Sequence, residues 1–292
     1  MILGDKREQV IENISKAAES GDFHIKVEVG DPVLTPEESA QIIQGYLDNS
    51  DKMRFKTKSY FARKMANILT KSLNKDTEIK GLENIADLEG GAIITSNHFS
   101  PLDNTAVRFL TRKLKKKRIN IVSQETNLAM PGIVGFLMNY ADIIPISDNK
   151  HYMQRDFYSI LQELLENDEY ILIYPEQEMW FNYRKPRPLK RGAYYYAAKL
   201  GVPVVSCFVE MQNLPEIDTE GFYKVKYTVH ILPTIYPDKT KSVKENSIEM
   251  CRLDYEQKKE AYEKAYGKPL DYRFEEDDIA GWMGTKQGRH TA

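Results

Sequence analysis

The sequence predicts an α/β protein with a mostly parallel central sheet flanked by helices, a helical segment before it and a helix after it. Three observations carry that expectation. Short apolar runs at 92–95, 119–123, 143–146, 170–174 and 202–209 alternate with helical stretches, the pattern of parallel strands joined by crossover helices. Tyr170-Ile171-Leu172-Ile173-Tyr174 is apolar along its whole length, as a strand covered on both faces would be. A chain of 292 residues has room for one large domain of this kind with additions at both ends.

Residues 1–50 form an acidic, mainly helical N-terminal segment, with Thr35-Pro36-Glu37-Glu38 as a helix start. Packing or regulation is its expected role. Between Lys52 and Lys75 the composition reverses, with many lysines and arginines and no acid. Residues 51–76 are therefore expected to be a basic amphipathic helix, with Phe61, Met65, Ile68 and Leu69 on one face and Lys58, Arg63, Lys64 and Lys71 elsewhere. Two readings stand side by side. The apolar stripe packs on the core, or the helix lies on a membrane surface, where each basic group adds about 1 kcal/mol near anionic lipid.

The α/β region spans 77–240. It opens with an edge strand at 77–81 and the strand at 92–95. A helix over 102–114 then ends in Arg112-Lys113-Leu114-Lys115-Lys116-Lys117-Arg118. That basic run suits a helix C-terminus, and equally suits anionic headgroups or the phosphates of a nucleotide-bearing ligand. The strand at 119–123 leads to a very apolar helix over 131–138, read as core, the wall of an apolar pocket or a membrane contact. Strand 143–146, helix 152–166, strand 170–174, helix 190–200, strand 202–209 and a strand or strand pair over 222–235 complete the region. Residues 241–292 are a charged helix and tail; Met250, Leu253 and Tyr262 give the helix a thin apolar stripe, and 281–292 are expected to fray.

The chemistry centres on Ile93-Ile94-Thr95-Ser96-Asn97-His98-Phe99-Ser100-Pro101-Leu102-Asp103. A buried strand ends in a polar turn, and Ser100 and Pro101 suit the N-cap and first position of the next helix. His98 thus falls at a strand end, where open α/β sheets keep their sites. Asp103 at the turn mouth can take one ring N–H of His98 and leave the other nitrogen as a base. The competing reading makes Asp103 a helix-start acid in a capping-box-like pattern. His151 and Asp156 share the same spacing, but on a helix they point about 140° apart and read as surface.

Ser96-Asn97-His98-x-Ser100-x-x-Asp103 resembles the first motif of the glycerolipid acyltransferases, the HxxxxD-type family that includes lysophosphatidate acyltransferases. Ile144-Pro145-Ile146 resembles the second motif, and Tyr174-Pro175-Glu176 stands where the family has Phe-Pro-Glu-Gly. Leu189-Lys190-Arg191-Gly192-Ala193 and Val202-Pro203-Val204-Val205 resemble the blocks that follow, so the likeness covers roughly residues 77–235. It implies acyl transfer from acyl-CoA or an acyl carrier protein to a lipid hydroxyl, with His98 and Asp103 catalytic. Asn97, Ser100, Pro175, Glu176, Arg184, Lys190 and Arg191 are the expected substrate-binding residues. For Glu176 the competing reading is a turn cap or a pair with Lys190 or Arg191.

The departures from the family pattern also bear on substrate. Asp148 stands where the second motif usually ends in arginine, and Gln177-Glu178-Met179-Trp180 replaces Gly-Thr-Arg-Ser. Both usual phosphate-binding arginines are absent, which disfavours an anionic acceptor unless Arg184, Lys185, Arg187, Lys190 or Arg191 compensates.

Bulk charge names no partner: 41 Lys and Arg against 43 Asp and Glu give a net charge of −2. Cys207 and Cys251 make no disulfide framework, which points to a reducing compartment. The first residues, Met1-Ile2-Leu3-Gly4-Asp5, turn acidic too soon for a signal peptide, and no run nears the ~18 apolar residues of a membrane span. The expected location is cytoplasmic, on the inner face of the cell membrane. Five scattered histidines offer no paired metal-ligand spacing, so neither a metal nor a tightly bound cofactor is expected. The expected partners are the acyl donor, a lipid acceptor and a membrane surface. Nucleic acid is not among them, because the basic runs lack an aromatic stacking platform. A thioester hydrolase and a non-catalytic membrane-surface module are the alternatives.

Overall fold

A computed structural model describes residues 6–30, 32–113 and 118–284. Helices α1 (Arg7–Ser20), α2 (Pro36–Asn49) and α3 (Met53–Leu73) come first. They lead into β1 (Glu78–Lys80), β2 (Ala92–Thr95), α4 (Asn104–Lys113), β3 (Ile119–Gln124), α5 (Gly132–Tyr140) and β4 (Ile143–Ile146). Then follow α6 (Lys150–Gln154), α7 (Asp156–Glu166), β5 (Tyr170–Ile173), α8 (Gly192–Leu200), β6 (Val204–Thr219), β7 (Phe222–Ile231) and α9 (Val243–Tyr266).

The seven strands form one sheet in the order β1-β7-β6-β2-β5-β3-β4. Every pairing is parallel except β6 with β7. Strand β2 lies near the centre, and all four of its residues are buried. Its side chains alternate between layers: Ile94 packs in the cluster that holds Val107 and Leu110 of α4, and Ile93 in the one that holds Ala193 and Ala197 of α8. Each such isoleucine contributes about 1.5–3 kcal/mol by leaving water. This two-sided burial makes β2 a rigid platform for the turn that follows it.

Several elements differ from their expected form. Strand β6 runs on through Thr219 and pairs with β7 as a long antiparallel hairpin. Its second half leaves the core and becomes polar, which hid it from a search for apolar runs. The helix expected over 152–166 divides at Arg155 into α6 and α7, and Asn149 caps the first piece. The C-terminal helix buries Asn246, Ser247, Asp254 and Lys258 beside Met250 and Tyr262, so its inward stripe is mostly polar.

The stripe on α3 faces outward. Its buried face is Ser59, Ala62, Ala66 and Thr70, small side chains that let α3 lie close to Phe136 and Leu137 of α5. Phe61, Met65 and Ile68 are exposed at 56%, 39% and 69%, which overturns the core-packing reading of that helix. Not all of its cations are available, however. Lys58 donates to the Tyr140 hydroxyl at 3.0 Å, and Arg63 pairs with the Asp142 carboxylate at 3.0 Å. Lys64 and Lys71 are exposed, with Lys64 over the Tyr60 ring, and Leu69 is half-buried. Among the described residues no helix is long and apolar enough to cross a membrane.

The basic run after α4 is only partly described, since 114–117 lie outside the described residues. Arg118 is tied to Asp142 at 2.7 Å and Glu169 at 3.3 Å, at the N-terminal end of β3 and away from the turn after β2. That is a structural role. The tail is tethered at its start, because Gly281 accepts from the Tyr223 N–H and donates to Asn213, and Trp282 bridges to Phe222. Residues 285–292 lie outside the described residues.

Candidate active site

The parallel register sets Thr95 of β2 beside Ile173 of β5. Whatever follows each strand therefore meets at one edge of the sheet. His98 comes three residues after Thr95, and Tyr174 directly after Ile173. The helix begins later than the sequence implied, at Asn104, and residues 101–103 form a turn. Asp103 ends that turn and reaches back. Its Oδ2 accepts from His98 Nδ1 at 2.7 Å, from the Phe99 N–H at 2.9 Å and from the Ser100 N–H at 3.2 Å.

A carboxylate accepts only, so the proton of this pair sits on Nδ1 and leaves the Nε2 lone pair free. Nε2 has no hydrogen-bond partner among the described residues, and the His98 side chain is 20% exposed. Asp103 is buried. Its other oxygen, Oδ1, accepts from the Tyr174 hydroxyl at 2.6 Å, and the Tyr174 ring stacks on the imidazole with centroids 4.0 Å apart and planes 13° apart. Burial, and then the Asp103 charge, push the Tyr174 phenol well above its ordinary value, so it remains a donor.

The third-motif loop clamps the His98 backbone from the other side. The His98 N–H donates to Glu176 Oε2 at 3.2 Å, and its carbonyl accepts from the Trp180 N–H at 3.1 Å. Glu176 is buried and pairs with neither Lys190 nor Arg191. Its partner is Arg187, which donates to Oε2 through Nε at 3.2 Å and Nη2 at 2.9 Å, while the Arg187 N–H meets Oε1 at 3.0 Å. The same guanidinium donates to the carbonyls of Phe23 and Glu178 and lies over the Trp180 ring, 4.6 Å from its centroid. Burial lowers the Arg187 pKa and the Glu176 charge opposes that.

Most of the expected substrate-binding side chains are thus committed inside the protein. The Asn97 amide pairs in both directions with the backbone of Val209, at 3.1 and 2.8 Å. The Ser100 hydroxyl accepts from the Leu102 N–H, and Pro175 is buried, its carbonyl accepting from the Lys190 N–H. Arg184 binds Asp277 and Asn213, and Lys185 binds Asp278 and the Arg273 carbonyl. Lys190 and Arg191 alone of the set are exposed, at the start of α8. Glu178 accepts from Gln124, and Asp148 is exposed beyond β4.

Backbone N–H groups around the start of α4 are also engaged. The N–H groups of Phe99, Ser100, Leu102, Asp103, Thr105 and Ala106 all bond within the turn. Those six groups are therefore not free to hold a developing oxyanion. Burial pushes the thiols of Cys207 and Cys251 to about 12 and about 11, which suits neither for a nucleophile.

Sequence reading missed two contributors. The sequence places Tyr174 at the end of an apolar strand and in the third motif, and neither gives its hydroxyl a role. The N-terminal segment, assigned no chemistry, brings Phe23 and His24 to the third-motif loop. His24 Nδ1 meets the Glu176 carbonyl at 3.5 Å, and desolvation lowers its pKa. Nothing in the local sequence around His24 signals that contact.

Residues 76–210 match the family model described as Acyltransferase. This stretch is an acyltransferase-family domain. Two chloroplastic 1-acyl-sn-glycerol-3-phosphate acyltransferases, from Brassica napus and Arabidopsis thaliana, are each 29% identical over 155 residues, 53% of this chain. The matched stretch covers 43% of the first and 41% of the second, less than half of either relative. The crystal structure of the 1-acyl-sn-glycerophosphate acyltransferase PlsC from Thermotoga maritima shares the fold, with a TM-score of 0.50 at 16% identity over 91% of this chain and 99% of that one. His98, Asp103, Tyr174, Glu176 and Arg187 all fall inside the acyltransferase domain, whereas Phe23 and His24 come from outside it.

Proposed function

We propose that the protein transfers a fatty acyl group from an acyl thioester, on CoA or an acyl carrier protein, to a hydroxyl of a lipid acceptor. The observation that carries this reading is the Nδ1 contact of His98 with Asp103 at 2.7 Å, which leaves Nε2 unbonded at the sheet edge. Imidazole, with an ordinary pKa of about 6.5, suits a base at neutral pH.

In the step envisaged, the acceptor oxygen attacks the thioester carbonyl while its proton passes to His98 Nε2. Asp103 stabilises the imidazolium as it forms. The tetrahedral intermediate then breaks its C–S bond, and His98 returns the proton to the leaving sulfur, giving ester and thiol. No covalent enzyme intermediate is needed.

The acceptor is proposed to be other than plain glycerol 3-phosphate or lysophosphatidate: a glycolipid, an amino-containing lipid or a lipid with an uncommon headgroup. Asp148 and Met179 stand in place of two arginines, and Arg184, Lys185 and Arg187 are engaged elsewhere. Of the five cations between 184 and 191, Lys190 and Arg191 are left to meet an anion. The outward Phe61, Met65 and Ile68 beside Lys64 and Lys71 support attachment of α3 to an anionic membrane surface, with a cytoplasmic setting on the inner face of the cell membrane.

Acyl transfer from labelled acyl-CoA and acyl carrier protein to acceptors with and without a phosphomonoester tests the whole reading. Ester formation abolished in His98→Ala is expected. A strong preference for the phosphomonoester would remove the acceptor proposal, and free fatty acid as the sole product would make the protein a hydrolase.

A further inference from the structure

Tyr174 meets both His98 and Asp103, through two unlike contacts. Its hydroxyl holds Asp103 Oδ1 at 2.6 Å, and its ring lies flat on the imidazole 4.0 Å away. We propose that Tyr174 is a positioning residue of the dyad: it locks the carboxylate by its second oxygen and the imidazole by its face.

The hydrogen-bond inventory gives the reason. The three other donors to Asp103 all address Oδ2, and two of them are backbone groups of its own turn. Among the described residues Tyr174 is the donor to Oδ1, so it pins the second oxygen and completes the restraint on rotation that the donors to Oδ2 begin. Without the hydroxyl, Oδ1 becomes a buried acceptor with no partner, and the carboxylate gains freedom to turn away from Nδ1. The stacked ring restrains the imidazole in the perpendicular sense, since a histidine held through one nitrogen still swings about that bond. The matching position of the family pattern is phenylalanine, which supplies the ring without the hydroxyl. The second lock is what this chain adds.

An electronic effect follows. A phenol donating to the carboxylate draws charge from it, so the carboxylate supports the imidazolium less strongly. Removing the hydroxyl makes His98 easier to protonate and carries the acid limb of the rate profile to higher pH. The other groups facing the cluster are Arg108 of α4, Cys207 of β6 and Tyr227 of β7, with Glu176 on the His98 N–H and Arg187 near its carbonyl. A substitution at Tyr174 changes none of these groups chemically, so the comparison with wild type isolates the Tyr174 side chain.

This inference rests on His98 acting as the base, and the test keeps the two apart. In the full-length protein Tyr174→Phe is expected to lower kcat about 10-fold with the donor KM unchanged, and to shift the acid limb of kcat to higher pH. Tyr174→Leu, which also loses the ring, is expected to lose more. Site-specific fluorotyrosine at 174 keeps the ring with a stronger donor, and the limb should move to lower pH; it also serves if Tyr174→Phe fails to fold. Wild-type kcat and an unmoved limb in Tyr174→Phe overturn the proposal, as does a lowered Tm with both unmoved, which would make the residue structural only. His98→Ala runs alongside. If it is inactive while Tyr174→Phe behaves as wild type, this inference alone falls; if it turns over normally, the base assignment falls and takes this with it.

Discussion

Two buried carboxylates stand past neighbouring strands, Asp103 after β2 and Glu176 after β5, and their surroundings differ in kind. Asp103 faces a histidine, a tyrosine hydroxyl and two backbone N–H groups. Glu176 faces a guanidinium and the N–H groups of His98 and Arg187. Histidine gains and loses charge near neutrality, whereas arginine keeps its charge. The first arrangement can move a proton and the second cannot. In the proposed reaction Asp103 serves the proton transfer, while Glu176 holds the loop that clamps His98.

Substitutions at the first carboxylate should act on rate. His98→Ala is expected to lower kcat by roughly 10²–10⁴-fold with an unchanged circular dichroism spectrum, and Asp103→Asn nearly as far. Normal turnover in Asp103→Asn would return that residue to a helix-start role. Substitutions at the second should act on stability. Arg187→Leu leaves Glu176 charged and unpaired, and urea unfolding should show a loss of about 3–5 kcal/mol. The double change Glu176→Leu with Arg187→Leu should recover part of it. A raised acceptor KM in stably folded Glu176→Gln would instead give Glu176 the substrate role its motif implies.

The smallest expected effect sharpens the same loop. Gln177 stands where the resembled motif has glycine, and its φ is 66°, in the left-handed region. Gln177→Gly should raise unfolding stability by roughly 0.5–1 kcal/mol, since a side chain costs more there than the added backbone freedom. A destabilised variant would mean that the Gln177 side chain makes up the strain.

What the sequence made legible was local. His98 and Asp103 converge because a short turn lies between them, and spacing through a turn can be read along a chain. The Glu176–Arg187 pair was not legible, because five cations lay in one proline-punctuated loop and no periodicity singles one out. The inward face of α9 escaped for a related reason. Asp254 and Lys258 look like a solvated helix pair, yet both are fully buried: Lys258 also bonds Thr95 and Ser206, and Asp254 accepts from Thr95 and Tyr194. The direction of the α3 stripe turned on Ala62 and Ala66, whose small size sets helix separation and leaves no hydropathy signal. The fold class, by contrast, followed from buried strands, where apolar composition and burial coincide.

That Lys258–Asp254 anchor reaches the last residue of β2 from a helix beyond residue 210, where the family match stops. Strand β1 is likewise paired only with β7, also beyond it. A fragment trimmed to the recognisable stretch would therefore keep both dyad residues while losing the brace beneath their strand. The stretch that matches the family model and the stretch that braces the strand do not coincide in this molecule, so engineering that keeps only the first removes part of the second.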